Sequence, residues 1–227
     1  MTRITDFIRF AFFSQKITES EYCIFEDERY FLPSTIDKVE KIIEESTLEN
    51  INKNLFNRYS SRQLKNKTPT INDAKKILNA SYGFLTKSNR TIPSAGGYYP
   101  LKLFLCKIEN GNIINIYEYC PQKSDILFLY SLNQPLKETM DVHHVDFKSV
   151  SWMILWSCRL TAIASRYGSK SYRFVCIEVG HSAQMAILEC LSLGFESITI
   201  GGLNELFIRE SILKSGRRNL PQYAMLF

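Results

Sequence analysis

Apolar residues recur along the chain with two different periods, and the alternation between them predicts a mixed architecture. Ile36, Val39, Ile42 and Ile43 lie at helical spacing and suggest a peripheral amphipathic helix. Thr70-Ile71-Asn72-Asp73 opens a second helix through Ala80, with Ile71, Ala74, Ile77 and Leu78 on one face. Leu101–Ile108 reads as a strand, Asn110-Gly111 as a hairpin turn and Asn112–Tyr119 as the partner strand. Val150–Trp156 is a third candidate strand. Ser157–Tyr167 has helical spacing up to Gly168, a suitable C-cap. The longest helical stretch is Ser169–Leu193, ending at Gly194. Its second half is apolar around most of its circumference, so it needs cover on several sides, from its own sheet alone or with a second subunit. Ser197–Ile200 is a short strand, Asn204 caps a helix to Leu213, and Tyr223–Phe227 is a last strand. Strands and helices in this mixture predict an α+β layered fold.

The chain has 227 residues, enough for one compact domain, or one domain plus a short arm, stable without metal or disulfides. Hydrophobic residues make up 45% and charged residues 22%, which excludes a fully disordered chain. No uninterrupted apolar run approaches the length of a bilayer span and the N-terminus lacks a signal-peptide pattern, so the expectation is a cytoplasmic protein without a membrane role. Six cysteines form no C-x-x-C pair and read as buried free thiols rather than a disulfide scaffold or zinc site.

Net charge is +5, unevenly spread. Acidic side chains dominate residues 1–50, read as an arm, and basic ones dominate residues 51–227, read as the main domain. A basic body suits an anionic partner, although on composition alone a solvated face is the better account of such charge.

Three patches carry candidate chemistry. In Arg58-Tyr59-Ser60-Ser61-Arg62 two guanidinium groups flank hydroxyls, a donor set suited to a phosphate monoester. Pro93-Ser94-Ala95-Gly96-Gly97-Tyr98-Tyr99-Pro100 brings small residues and exposed backbone N–H groups close to a flat or bulky ligand, or forms a plain turn; it is neither a P-loop nor a dinucleotide fingerprint. Arg166-Tyr167-Gly168 and Ser171-Tyr172-Arg173, leading into Glu178-Val179-Gly180-His181, cluster Tyr and Arg at a helix junction. Outside these patches, His143-His144 with Asp141 and Asp146 make at best a minor metal candidate. His181 reads as a core or interface residue, and Trp152 and Trp156 as core.

In their order and spacing, these patches together with Ile200-Gly201-Gly202-Leu203-Asn204 resemble the nitroreductase-fold flavoproteins, and within them the SagB/McbC-type azoline dehydrogenases of thiazole/oxazole-modified peptide biosynthesis. The resemblance covers about residues 55–227. It implies a mostly antiparallel central sheet flanked by helices, a long core helix at a homodimer interface, and FMN held between subunits. It implies that Arg58, Ser60 and Arg62 hold the FMN phosphate, that Pro93, Ser94, Ala95 and Gly96 line the ring and ribityl chain, and that Gly201 and Gly202 lie near the reactive edge. The implied reaction oxidises thiazoline or oxazoline rings of a ribosomal precursor peptide, in antibiotic biosynthesis, with a cyclodehydratase as companion; no nucleic acid and no metal enter. The family associates the proton-accepting role with a Lys-Tyr pair, where this chain has Arg166-Tyr167. A guanidinium stays protonated at ordinary pH, leaving Tyr167 as candidate base with Arg166 assisting it. Asn204 stands where relatives often carry Asp. The alternatives are a nicotinamide-dependent nitro- or quinone reductase and a degenerate, non-enzymatic scaffold subunit of a peptide-modifying complex.

Overall fold

The computed structural model describes residues 58–64, 67–214 and 219–227. The acidic arm (1–50) with its helix at 36–43, and Cys23, lie outside the described residues. Helix α1 (Ile71–Tyr82) starts at Thr70 through a reciprocal capping box: the Asp73 amide donates to the Thr70 hydroxyl (3.2 Å), and the Thr70 amide donates to the Asp73 carboxylate (2.9 Å). Its buried stripe is Ala74, Ile77 and Leu78, all fully buried.

Strands β1 (Leu101–Glu109) and β2 (Asn112–Cys120) form the expected hairpin. Asn110 and Gly111 take positive φ (51° and 76°), the turn geometry that matches strand twist. An eleven-residue strand, β3 (Asp125–Pro135), follows on the outer edge of the sheet. Sequence pattern missed it because an edge strand buries little: Leu127 and Phe128 are more than half exposed. Strand β4 (Trp152–Cys158) is buried at all seven positions, which is why its sequence is a continuous apolar run without alternation. The helix expected over Ser157–Tyr167 is shorter: Ser157 and Cys158 extend β4, and α2 spans only Thr161–Tyr167.

After a 3₁₀ turn (Gly168–Lys170) comes α3 (Ser171–Ser192). The helical stretch Thr161–Ser192, interrupted at Gly168 (φ 53°), contains an 18-residue window of mean hydropathy 1.3, long and apolar enough by length and composition alone to cross a membrane. Here 44% of that window is buried within this protein. The chain closes with β5 (Ile198–Ile200), α4 (Glu205–Phe207) continuing into a π turn (Ile208–Ile212), and β6 (Leu220–Leu226). The helix expected from Asn204 to Leu213 is thus one α turn capped by Asn204 Oδ1, then a widened turn closed by the Leu213 amide on Ile208 O (2.7 Å).

The six strands are ordered β3-β2-β1-β4-β6-β5, every pair antiparallel. One face packs on α1 and α3 around Trp152, Ile154 and Trp156. The other packs on the π turn and the β3–β4 connection around Phe104, Met153 and Leu155. On the helical face Trp156 Nε1 donates to Ser182 Oγ (2.7 Å), so the indole's one polar atom is satisfied in the core. Of the described cysteines, Cys106, Cys158 and Cys190 are buried, Cys120 is half-buried and Cys176 exposed, all as free thiols. Burial pushes Cys158 and Cys190 up to about 12, which keeps them protonated and unreactive.

Candidate functional site

The Arg58–Leu64 segment is pinned by its backbone, leaving its charged groups outward. The Ser61 amide donates to Ser197 O (3.0 Å), the Asp146 amide to Arg62 O (3.0 Å) and the Leu64 amide to Ser149 Oγ (3.1 Å). Tyr59 donates its hydroxyl hydrogen bond to the Glu196 carboxylate. Ser61 is turned inward while Arg58, Ser60 and Arg62 are exposed. Two cations and a hydroxyl therefore face solvent from one extended segment beside the start of β5, a donor set that fits a phosphate.

At the other end of β5 lie Gly201 and Gly202, both exposed. The Asp141 amide donates to Gly202 O (2.8 Å), and a Cβ at Gly202 would stand 3.0 Å from Asp141 O. A side chain here would push the two backbones apart, so close approach is what requires glycine. Gly202 borders an open cavity of about 530 Å³ lined also by Lys137, Met140, Asp141, Leu203 and Asn204. Asn204, at the position where Asp was expected, accepts from the Phe207 amide (3.2 Å), a capping role that an amide oxygen fills as well as a carboxylate.

The third group sits on the helical face. Gly96 and Gly97 take φ of 60° and 71° in a 3₁₀ turn. A Cβ at Gly96 would fall 2.5 Å from Tyr167 Oη and 3.1 Å from the Tyr98 ring. Two separately identified patches, Pro93–Gly97 and Arg166-Tyr167, are thus in contact. Tyr167 packs edge-on against Phe174 (4.8 Å between centroids) and Tyr98 (6.2 Å). Arg166 is exposed, its guanidinium 5.9 Å from the Tyr167 ring centre; its hydrogen bond to Tyr167 raises its already high pKa, so it stays charged.

Sequence reasoning did not assign the polar cluster beneath this turn. Glu178 is 2% exposed, accepting from Tyr82 Oη (2.7 Å) and from Ser94 Oγ. Burial raises its pKa above the usual carboxylate range, against the two hydrogen bonds and the charge of Arg90. The Arg90 guanidinium stands over the rings of Phe84 and Tyr99 (4.3 Å each) and Tyr82 (5.0 Å). A Glu within a largely apolar helical run, where Glu178 is one of two in α3, is the signal that could have found it. The other flagged residues stay apart: His143 and His144 are exposed, and among the described residues no group of three or more His, Cys, Asp or Glu could hold a metal. His181, expected in the core or an interface, is exposed in the single chain.

In one protomer the expected cofactor residues fall into separate groups. Leu64 and Leu203, next to the first two, pack on the non-helical side of the sheet, whereas Ile92, Tyr99 and Tyr167 pack on the helical side.

Comparison with known proteins places this geometry. The nitroreductase family model matches residues 55–214. A Methanocaldococcus jannaschii protein named as a nitroreductase is 30% identical over 179 residues, covering 76% of this chain and 86% of that protein. Among solved structures, one from the Escherichia coli microcin synthetase McbBCD complex with truncated pro-MccB17 bound superposes with a TM-score of 0.62 at 17% identity, covering 93% of this chain and 82% of that one. A Desulfovibrio desulfuricans nitroreductase in complex with FMN gives a TM-score of 0.52 at 13% identity, covering 81% and 86%. With the family model covering more than two thirds of its length and a curated relative at 30% identity, the chain belongs to the nitroreductase family.

Proposed function

We propose that this oxidoreductase-family chain uses FMN to oxidise azoline rings of a ribosomal precursor peptide to thiazole or oxazole, in the cytoplasm and as a homodimer. The observation that carries the reading is the contact between the Pro93–Gly97 turn and Tyr167, which puts an open glycine turn, a phenol and a guanidinium side by side. The likeness to a chain of the microcin synthetase complex and to an FMN-bound nitroreductase supports it.

Arg58, Ser60 and Arg62 would hold the FMN phosphate by charge and hydroxyl donation. Pro93, Ser94, Ala95 and Gly96 would line the ring and ribityl chain, and Gly201 and Gly202 would allow close approach at its edge. When bound, FMN supplies the acceptor for the hydride equivalent lost by the azoline. Tyr167 would accept the proton from the adjacent carbon, with the charged Arg166 guanidinium beside its ring (5.9 Å). A second protomer would complete the site, since the groups lie on different sides of one sheet. Its docking face would be the exposed stripe of α3: Arg173, Cys176, Ile177, Gly180, His181 and Gln184. A cyclodehydratase would supply the cyclised peptide. The second reading, reduction of nitro or quinone compounds by a nicotinamide, is favoured by the 30% identity to a protein named as a nitroreductase.

The test begins with the small molecule released on heat denaturation, expected to be FMN. The protein should then remove one H₂ per ring from a cyclised peptide. Tyr167→Phe should abolish that turnover with FMN retained, and Arg58→Ala should lose FMN. Absence of flavin after reconstitution sinks the cofactor; rapid bleaching by NAD(P)H without peptide oxidation selects the reductase.

A further inference from the structure

The Pro93–Pro100 segment is conformationally costly as it stands. Three of its residues take positive φ within four positions: Gly96 (60°), Gly97 (71°) and Tyr99 (49°). The glycines adopt this region freely, but Tyr99 does not, and such a residue persists only where its surroundings over-determine it. The bracing is traceable atom by atom. The Tyr99 amide donates to Ser94 Oγ (2.9 Å), and Ser94 Oγ donates to one oxygen of the Glu178 carboxylate. The other oxygen accepts from Tyr82 Oη (2.7 Å), which itself accepts from the Leu101 amide at the start of β1 (3.1 Å). One buried carboxylate on α3 thus ties together the turn, α1 and the first strand. The rings of Tyr82 and Tyr99 that flank it also carry Arg90, whose Nη1 donates to Tyr82 O (3.3 Å).

We infer that Glu178 is a positioning residue for the Pro93–Gly97 turn: through Ser94 it holds the turn's strained backbone, and with it the approach of Gly96 to Tyr167. The inference rests on the proposed cofactor reading only for its functional consequence, since the bracing itself belongs to the protein without ligand. Burying a carboxylate in an apolar helix is costly, and here two hydroxyl donors offset the cost only while the turn keeps its shape. Glu178 touches neither the expected ring-lining glycine nor Tyr167, so it acts through Ser94 and not on the reacting atoms.

The experiment reads amide hydrogen exchange in the full chain without added flavin, for wild type, Glu178→Gln and Tyr82→Phe. Loss of a hydrogen bond to a charged acceptor corresponds to about a tenfold change in opening equilibrium. Glu178→Gln should therefore speed exchange at the Tyr99 and Leu101 amides about tenfold while the β4 amides keep their protection. Tyr82→Phe is decisive if Glu178→Gln does not fold. Its hydroxyl hydrogen-bonds Glu178 and Leu101 while Phe keeps the edge-on ring contact with Tyr99 (6.0 Å), so faster exchange at Tyr99 in that variant is the result expected if the carboxylate carries the bracing. Unchanged exchange at Tyr99 overturns the inference, and so does an equal acceleration across β4, which marks general loss of stability. FMN titrated by fluorescence quenching should bind Glu178→Gln about tenfold more weakly than wild type. If wild type itself fails to bind FMN, the cofactor reading falls while the exchange result still decides the role of Glu178.

Discussion

Replacing Gly96 by Ala tests the contact that unites two of the patches. At φ 60° an L-residue is disfavoured by about 1–2 kcal/mol. Reduced freedom of the unfolded chain offsets about 0.4–1 kcal/mol, leaving a net backbone cost of about 1 kcal/mol. The new Cβ would also stand 2.5 Å from Tyr167 Oη, inside any van der Waals contact, and 3.1 Å from the Tyr98 ring. Tyr167 is wedged against Phe174, so it can yield only by leaving its rotamer, at about 0.5–1.5 kcal/mol or more. The total is about 1.5–2.5 kcal/mol. Gly97 is the internal control: its φ is 71° but a Cβ there meets nothing within 4 Å, so Gly97→Ala should cost only the backbone share, about 1 kcal/mol. Tyr167→Phe removes the obstructing oxygen, so the Gly96→Ala/Tyr167→Phe pair should couple favourably by about 1 kcal/mol. Urea unfolding at fixed m-value measures all four variants. Equal destabilisation by Gly96→Ala and Gly97→Ala, with no coupling to Tyr167, would refute the contact.

Three further outcomes follow from two residues. Gly180 is exposed on α3, and a Cβ there would meet nothing within 4 Å, so Gly180→Ala should stabilise the fold by about 1 kcal/mol through helix propensity. Gly180→Arg should leave the protomer folded yet dissociate the proposed homodimer in sedimentation experiments; an unaltered dimer removes the α3 stripe as its interface. Glu178 has a native pKa raised by burial, so its protonated form favours folding. Its contribution is fully present below its unfolded pKa of about 4.3 and is lost as pH rises through the raised native value. Wild type should therefore lose stability relative to Glu178→Gln over that interval in pH-resolved urea melts, and a pH-independent difference would contradict it.

The parts legible in the sequence are those in which local physics decides the outcome. The capping box at Thr70 and Asp73, the Asn110-Gly111 turn and the seven-residue apolar run of β4 each carry their structure within a few residues. Strand β3 is not legible because none of the described residues covers its outer edge, so Leu127 and Phe128 break the alternation that marks a half-buried strand. The boundary between β4 and α2 is lost for a related reason: Ser157 and Cys158 are small and buried, compatible with either period, and only pairing with Lys102 and Leu101 of β1 on one side and with Pro221 and Leu220 of β6 on the other makes them strand.

The candidate site divides along the same line. Arg58, Ser60, Arg62, Gly96, Gly201 and Gly202 stand out as candidates because ligand-type chemistry calls for cations, hydroxyls or absent side chains, and the sequence records all three. Glu178 announces nothing comparable. Its significance comes from Tyr82 and Ser94, 96 and 84 residues away, which meet it only after α1 and α3 pack on one face of the sheet. A carboxylate in an apolar helix is therefore worth pursuing from sequence as a buried hydrogen-bond acceptor: the donors to Glu178 come from elsewhere in the chain, whereas Glu189 on the same helix accepts from Ser192 (3.4 Å). An unpartnered charge there would cost several kcal/mol, more than a marginally stable domain can absorb. The donors found belong to a strained turn and to a helix that share no sequence motif with it, so the same carboxylate that is expensive to bury is also what lets the turn hold a conformation its own residues do not favour.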